Sequence, residues 1–230
     1  MRFNIFSCSP IKGITQAEIA VFIKVSMRIL LFFIIFITLT PRANAQLVEA
    51  VQIYTDNQLL ELIRENKHLG QVVLDECQLV QDIEARAVKA KMPSYQFLYG
   101  DMLAYGVCVK KDVALGLHYM RAAADQGLPE ALEQIGRYYN IGKFMQVDNE
   151  QAVIYLREAS ALKNLKAQIR LAELYLDGYG SPLDYPELYS QLHHSVTDDK
   201  KQHKKISQLL ASLAEKLPDH VVEGAKRDKW

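Results

Sequence analysis

Apolar residues recur along this chain at helical spacing, and the spacing itself recurs. Tyr95, Tyr99 and Leu103 share one helix face; Ala131, Ile135 and Tyr139 repeat that face 36 residues later, and Ala167, Leu171 and Tyr175 repeat it again. The register holds without a gap. Pro93 aligns with Pro129 and Leu165, Gly100 with Gly136 and Ala172, Gly106 with Gly142 and Gly178, and Asp112 with Asp148 and Asp184. Met120, Leu156 and Leu192 form a further column, as do Ala123, Ala159 and Ser195. A fixed period of this length marks a stacked array in which each unit buries its apolar face against the next.

Each column has a mechanical meaning. The small residue at 100, 136 and 172 lets a neighbouring helix come close. Gly106, Gly142 and Gly178 end the first helix of each unit by taking a left-handed conformation. A loop of about five residues then reaches Asp112, Asp148 or Asp184, whose carboxylate is suited to accept from the first free amides of a second helix. Gln151 and Glu187 stand three residues after Asp148 and Asp184, as in a capping box, and Pro186 falls in a first turn, where its missing N–H is harmless. The second helix is predicted over about 112–125, with Gly127 ending it and Pro129 opening the next unit.

The pattern therefore predicts an all-α solenoid of helical hairpins with repeats at 93–128, 129–164 and 165–200. Residues 46–92 carry a degenerate N-terminal capping repeat. There Leu59 and Ile63 precede Gly70, Glu76 stands in place of the capping aspartate, and Ile83 and Ala87 keep the phase. Residues 201–230 supply a capping helix and tail: Ile206, Leu209, Leu210, Leu213 and Leu217 line one face of a helix over 199–217, and Pro218 stops it.

The N-terminal 45 residues do not belong to this array. Met27-Arg28 is followed by eleven mostly apolar residues and then Ala43-Asn44-Ala45, the pattern of a cleavable secretory signal. An apolar helix of that length reaches only about 16 Å, against a hydrocarbon core of about 30 Å, which disfavours a membrane anchor. Residues 1–26 precede a complete signal and read as an upstream start or a long n-region. The mature chain is expected to begin near Gln46 and to be exported.

Export changes the meaning of the cysteines. Cys8 leaves with the signal, and Cys77 and Cys108 remain in a compartment that permits disulfides. Each could be a small buried hydrophobe. In the repeat frame Cys77 opens the second helix of the degenerate unit and Cys108 lies in the inter-helix loop of the next, on one edge of the stack. A bridge is the preferred reading.

Composition removes several functions and adds none. The 27 basic and 27 acidic residues cancel, whereas a nucleic-acid-binding chain normally carries a basic surplus. Neither a phosphate-binding glycine loop nor a Gly-x-Ser-x-Gly elbow nor a His-Glu-x-x-His pair occurs. His193, His194 and His203 read as solvated surface histidines, and Lys200, Lys201, Lys204 and Lys205 as a solvated helix start. No catalytic residue, metal ligand or cofactor-binding residue is predicted, and no small-molecule substrate is implied. The tyrosines at 95, 99, 138, 139, 155 and 175 are mostly at core spacing, and some could edge a groove used for protein contacts.

The pattern in Ala131-x-x-x-Ile135-Gly136-x-x-Tyr139-x-x-Gly142, followed by Asp148, resembles the Sel1-like repeat, a relative of the tetratricopeptide repeat with slightly longer units. The resemblance is clear over 93–200 and weak over 55–92, and it implies a right-handed solenoid serving as a protein-interaction adaptor. Longer stretches (77–87, 93–104, 106–109, 131–139 and 180–185) resemble a family of periplasmic proteins of sodium-driven polar flagellar motors. That resemblance implies a non-enzymatic part of a basal-body ring, with a MotY-like periplasmic ring protein and the periplasmic region of the stator B subunit as partners. It also implies a bond between Cys77 and Cys108. The alternative is a generic periplasmic adaptor for envelope complexes.

Overall fold

The computed structural model describes residues 52–227. The signal at 27–45, the residues upstream of it, the expected start at Gln46 and Cys8 lie outside the described residues. Among those described, all regular structure is helical.

Three hairpins form the middle of the chain: α4 (Pro93–Tyr105) with α5 (Val113–Asp125), α6 (Pro129–Ile141) with α7 (Asn149–Ala161), and α8 (Leu165–Leu176) with α9 (Tyr185–His193). Each second helix also packs on the first helix of the following hairpin. Pro93 and Pro129 open their helices after an extended residue, Met92 and Leu128. Gly106 (φ 74°) and Gly142 (φ 70°) close them in the left-handed conformation, each donating its N–H to a carbonyl four residues back. Asp112 and Asp148 cap α5 and α7, accepting from the amides of Leu115 and Gln151 at 3.0 Å.

The small-residue column sits where helices touch. A Cβ on Gly100 would lie 2.8 Å from the carbonyl oxygen of Gly116, and one on Gly116 only 2.6 Å from that of Gly100. The α4 and α5 backbones are therefore in contact, and Gly116 is half of a crossing of which the sequence reading named only the other half. At Gly136 the neighbour is a side chain, Leu156 Cγ at 2.7 Å. Tyr95, Tyr138 and Tyr175 fill the core between hairpins and are buried, whereas Tyr139 and Tyr155 stack at 5.7 Å and stay half-buried.

Three expectations are corrected. The degenerate N-terminal unit does not end its first helix at Gly70. That helix is split into α1 (Asp56–Arg64) and α2 (His68–Leu74), with Asn66 (φ 55°) at the break and Gly70 inside α2. Asn is one of the few residues that adopts this conformation readily. Glu76 and Cys77 do not open a helix either. Both have positive φ in a tight turn, and α3 (Val80–Val88) starts later, from Leu79 with no side-chain cap. The third departure is Asp184. It lies at the end of a 3₁₀ turn, Pro182–Asp184, and provides no cap to α9; its carboxylate accepts from Arg157 at 3.2 Å and from the Tyr175 hydroxyl at 3.4 Å. Pro182 and Pro186 occupy the first turns of these two short helices and remove amides that an aspartate could have capped.

At the far end α10 (Lys200–Ala214) begins from Asp199, whose side chain accepts from Lys201 N and Gln202 N, and it buries Ile206, Leu209 and Leu213. Residues expected as a tail form α11 (Asp219–Arg227), which buries Val222 and Ala225 and packs against α9.

Candidate protein-binding surface

Of the residues singled out from sequence, Cys77, Cys108, Gly106, Gly142, Gly178 and the three aspartates lie along one edge of the stack, whereas Gly100 and Gly136 sit at helix crossings. Cys77 and Cys108 are bonded, S–S 2.03 Å with Cα atoms 5.5 Å apart, and join the turn before α3 to the loop between α4 and α5. The next loop lies beside that one: the ring of Phe144 is 5.2 Å from Tyr105 and 5.3 Å from Tyr138, edge-on to both. Lys143 Nζ stands 4.7 Å from the Phe144 centroid and 5.4 Å from that of Tyr105, with Lys111 Nζ 6.0 Å from Phe144. The glycine and aspartate columns end and start helices at this edge. They shape the loops and do not converge on a chemical centre.

The first-helix face of the repeats is charged and already engaged by the chain's own ends. Arg64 of α1 pairs with Glu130 of α6 at 2.7 Å, and Lys166 of α8 donates to the Arg64 carbonyl. From the other end Lys205 of α10 pairs with Glu173 of α8. Between them Glu133 lies 3.7 Å from Arg170. Burial raises the Glu133 carboxyl above its ordinary value, while Arg170, Arg137 and Lys166 pull it the other way.

The sequence reading missed a buried polar chain behind the edge. His68 Nε2 faces Asp101 Oδ2, the Tyr138 hydroxyl lies 3.3 Å from Asp101 Oδ1 and 3.3 Å from the Tyr105 hydroxyl, and Gln134 donates to Tyr138 at 2.6 Å. Burial and the neighbouring Asp101 carboxylate push the Tyr138 phenol well above the ordinary tyrosine range. The available signal was Asp101 itself, a carboxylate between Gly100 and Met102 on a helix otherwise reading as core.

Two surface hollows of about 330 and 510 Å³ do not assemble a reactive group. The first contains a Ser190–His194 pair, Oγ to Nδ1 3.4 Å, but Nδ1 lies 2.8 Å from the Ser190 carbonyl and Ser190 is buried. A ring nitrogen that donates to a carbonyl is not placed to take a proton from the hydroxyl. Among the described residues no group of three or more His, Cys, Asp or Glu is arranged to hold a metal ion.

Comparison with known proteins agrees with a repeat scaffold. The Sel1 repeat family matches residues 93–128, 129–164 and 165–187. Sodium-type polar flagellar protein MotX of Vibrio parahaemolyticus serotype O3:K6 is 57% identical over 189 residues, which is 82% of this chain and 90% of the relative. This chain belongs to the MotX family. An uncharacterized protein of Neisseria meningitidis serogroup B shares 38% identity with this MotX-family chain over 90 residues, 39% of this chain and 19% of its own length. Among solved structures, a Sel1 repeat protein from Oxalobacter formigenes superposes with TM-score 0.48 at 21% identity, covering 56% of this chain and 97% of the other.

Proposed function

We propose that this chain is a non-enzymatic scaffold of the sodium-driven polar flagellar motor, exported to the periplasm through the signal at 27–45. There it joins a MotY-like ring protein at the basal body and helps hold the stator through the periplasmic region of the stator B subunit. The observation that carries this reading is the 57% identity to a sodium-type polar flagellar protein over nine-tenths of that protein's length. The Cys77–Cys108 bond favours an oxidising compartment, since such bonds are rare where glutathione keeps thiols reduced. The stacked hairpins offer the extended surfaces by which repeat proteins make contacts.

A deletion strain tests the reading. It is expected to assemble a polar filament that does not rotate, and to swim again when the full-length gene is restored. A deletion strain that swims normally overturns the motor assignment.

A further inference from the structure

Residues 54–75 form a piece that closes on itself and is joined to the repeats by one short turn. Its ends meet where the Tyr54 hydroxyl donates to Asp75 Oδ2, and Gln71 donates to the other Asp75 oxygen at 2.9 Å. Between those ends α1 and α2 pack on each other and on α4. The piece fills a seat to which three repeats contribute. Leu59, Ile63 and Val72 are buried. From the first repeat, Ser94 donates to Asp56, Tyr95 donates to the Tyr54 carbonyl and Asp101 faces His68. The second supplies Glu130 to Arg64, and the third supplies Lys166 to the Arg64 carbonyl. An empty seat would leave Glu130 and Asp101 without these partners, so it favours being filled by this segment or by an identical one.

The turn that holds the piece is unlike the others. Glu76 (φ 52°) and Cys77 (φ 60°) are both left-handed, and no other two adjacent residues among those described share a positive φ. Neither is glycine or asparagine, the residues that adopt this conformation readily. The contacts of the piece therefore hold the turn closed against its own preference. An extended turn relieves both residues and keeps every contact of the seat, provided the seat belongs to another copy. Cys77 is bonded to Cys108 in the loop between α4 and α5, which limits what can leave to the residues before it. Residues 75–79 reach at most about 17 Å when extended, so exchanging copies must lie side by side.

We propose that residues 54–75 exchange between copies of this chain, α1 and α2 of one copy occupying the seat on α4, α6 and α8 of the next. The partner is a second copy, and its fit is the fit already present within one chain. Exchange of an identical element is a low-cost route to association, and a strained hinge invites it. This exchange goes beyond the scaffold reading and does not depend on which machine the scaffold serves.

Disulfide trapping between co-expressed full-length chains tests it. One chain carries Asp56→Cys and one tag; the other carries Ser94→Cys and a second tag. After mild oxidation, exchange is expected to give an adduct containing both tags, with a peptide around position 56 bonded to one around position 94. Asp56→Cys with Ser94→Cys on a single chain is the reference for reach. Glu76→Pro cannot take a positive φ and should raise the two-tag yield at least about threefold. Glu76→Asn favours the closed turn and should lower that yield about threefold. If Glu76→Pro loses abundance, Glu76→Asn decides. A single-chain pair that bonds while the mixed chains do not overturns the proposal, as does a single-chain pair that never bonds. A two-tag yield indifferent to position 76, or matched when Leu162→Cys replaces Ser94→Cys, overturns it as well. The swimming of the deletion strain stands apart from these outcomes. Loss of swimming on deletion, with chains that never exchange, refutes the exchange and leaves the motor reading intact.

Discussion

His68 and Asp101 meet in the interior with Nε2 2.7 Å from Oδ2 and side chains only 7% and 3% exposed. His68 Nδ1 is buried without a hydrogen-bond partner, so the ring proton belongs on Nε2, facing the carboxylate. Through its other oxygen Asp101 reaches Tyr138, and one carboxylate thereby joins α2, α4 and α6. Asp101→Ala leaves the buried His68 Nε2 without its acceptor, while Tyr138 keeps Gln134 and Tyr105, and an unsatisfied buried donor costs about 1–3 kcal/mol. The urea midpoint should fall accordingly, with Asp101→Asn costing less because it retains one acceptor oxygen. Equal midpoints for the two variants would show that the acceptor is not what matters.

The Cys77–Cys108 bond closes a loop with a sequence separation of 31 residues. Removing a native disulfide from a small exported domain typically costs about 2–5 kcal/mol. Cys77→Ser and Cys108→Ser are each expected to lower the abundance of the chain in cells, and the double variant should be no worse than either single one. A double variant clearly below both singles would mean that the cysteines contribute separately.

Two glycines give opposite expectations for the same substitution. At Gly116 an added Cβ meets backbone at 2.6 Å, so Gly116→Ala should push α4 and α5 apart and destabilise by about 1–3 kcal/mol. At Gly70, inside α2, nothing lies within 4 Å of the added carbon, and Gly70→Ala should stabilise by about 0.5–1 kcal/mol. Thermal melts of both variants check this, and the same sign for the two would contradict the close-approach account.

Glu133 predicts a pH dependence. Its folded-state pKa stands above the ordinary 4.5, burial being the first cause. Such a carboxyl contributes stability below its unfolded pKa and loses it as pH rises through the folded value. Glu133→Gln does not titrate, so the variant's stability relative to the parent should rise from about pH 4 to about pH 7. A relative stability that falls over that window would place the Glu133 shift in the other direction.

What the sequence disclosed and what it hid have separate physical causes. The helix ends at Gly106 and Gly142 and the caps at Asp112 and Asp148 were legible because each depends on one residue and its immediate backbone. The terminal unit was misread for the complementary reason. It keeps the column glycine at Gly70 but lacks the capping aspartate, and Asn66 breaks the helix four residues before Gly70, so the phase no longer fixed the turn. Asp184 kept its column and lost its role once Pro182 and Pro186 had changed the backbone around it. Gly116 and the His68–Asp101 pair involve two distant segments each, and no column carries either. The helix α11 was overlooked because its apolar face is only Val222 and Ala225, too short a stripe to distinguish from a tail.

The central claim is that this chain works by holding partners in a flagellar motor. Affinity isolation of the full-length tagged chain from cells carrying basal bodies tests it most directly. The account predicts that a MotY-like ring protein and the stator B subunit co-isolate with it. Isolation of the intact, disulfide-bonded chain with neither protein present would contradict it.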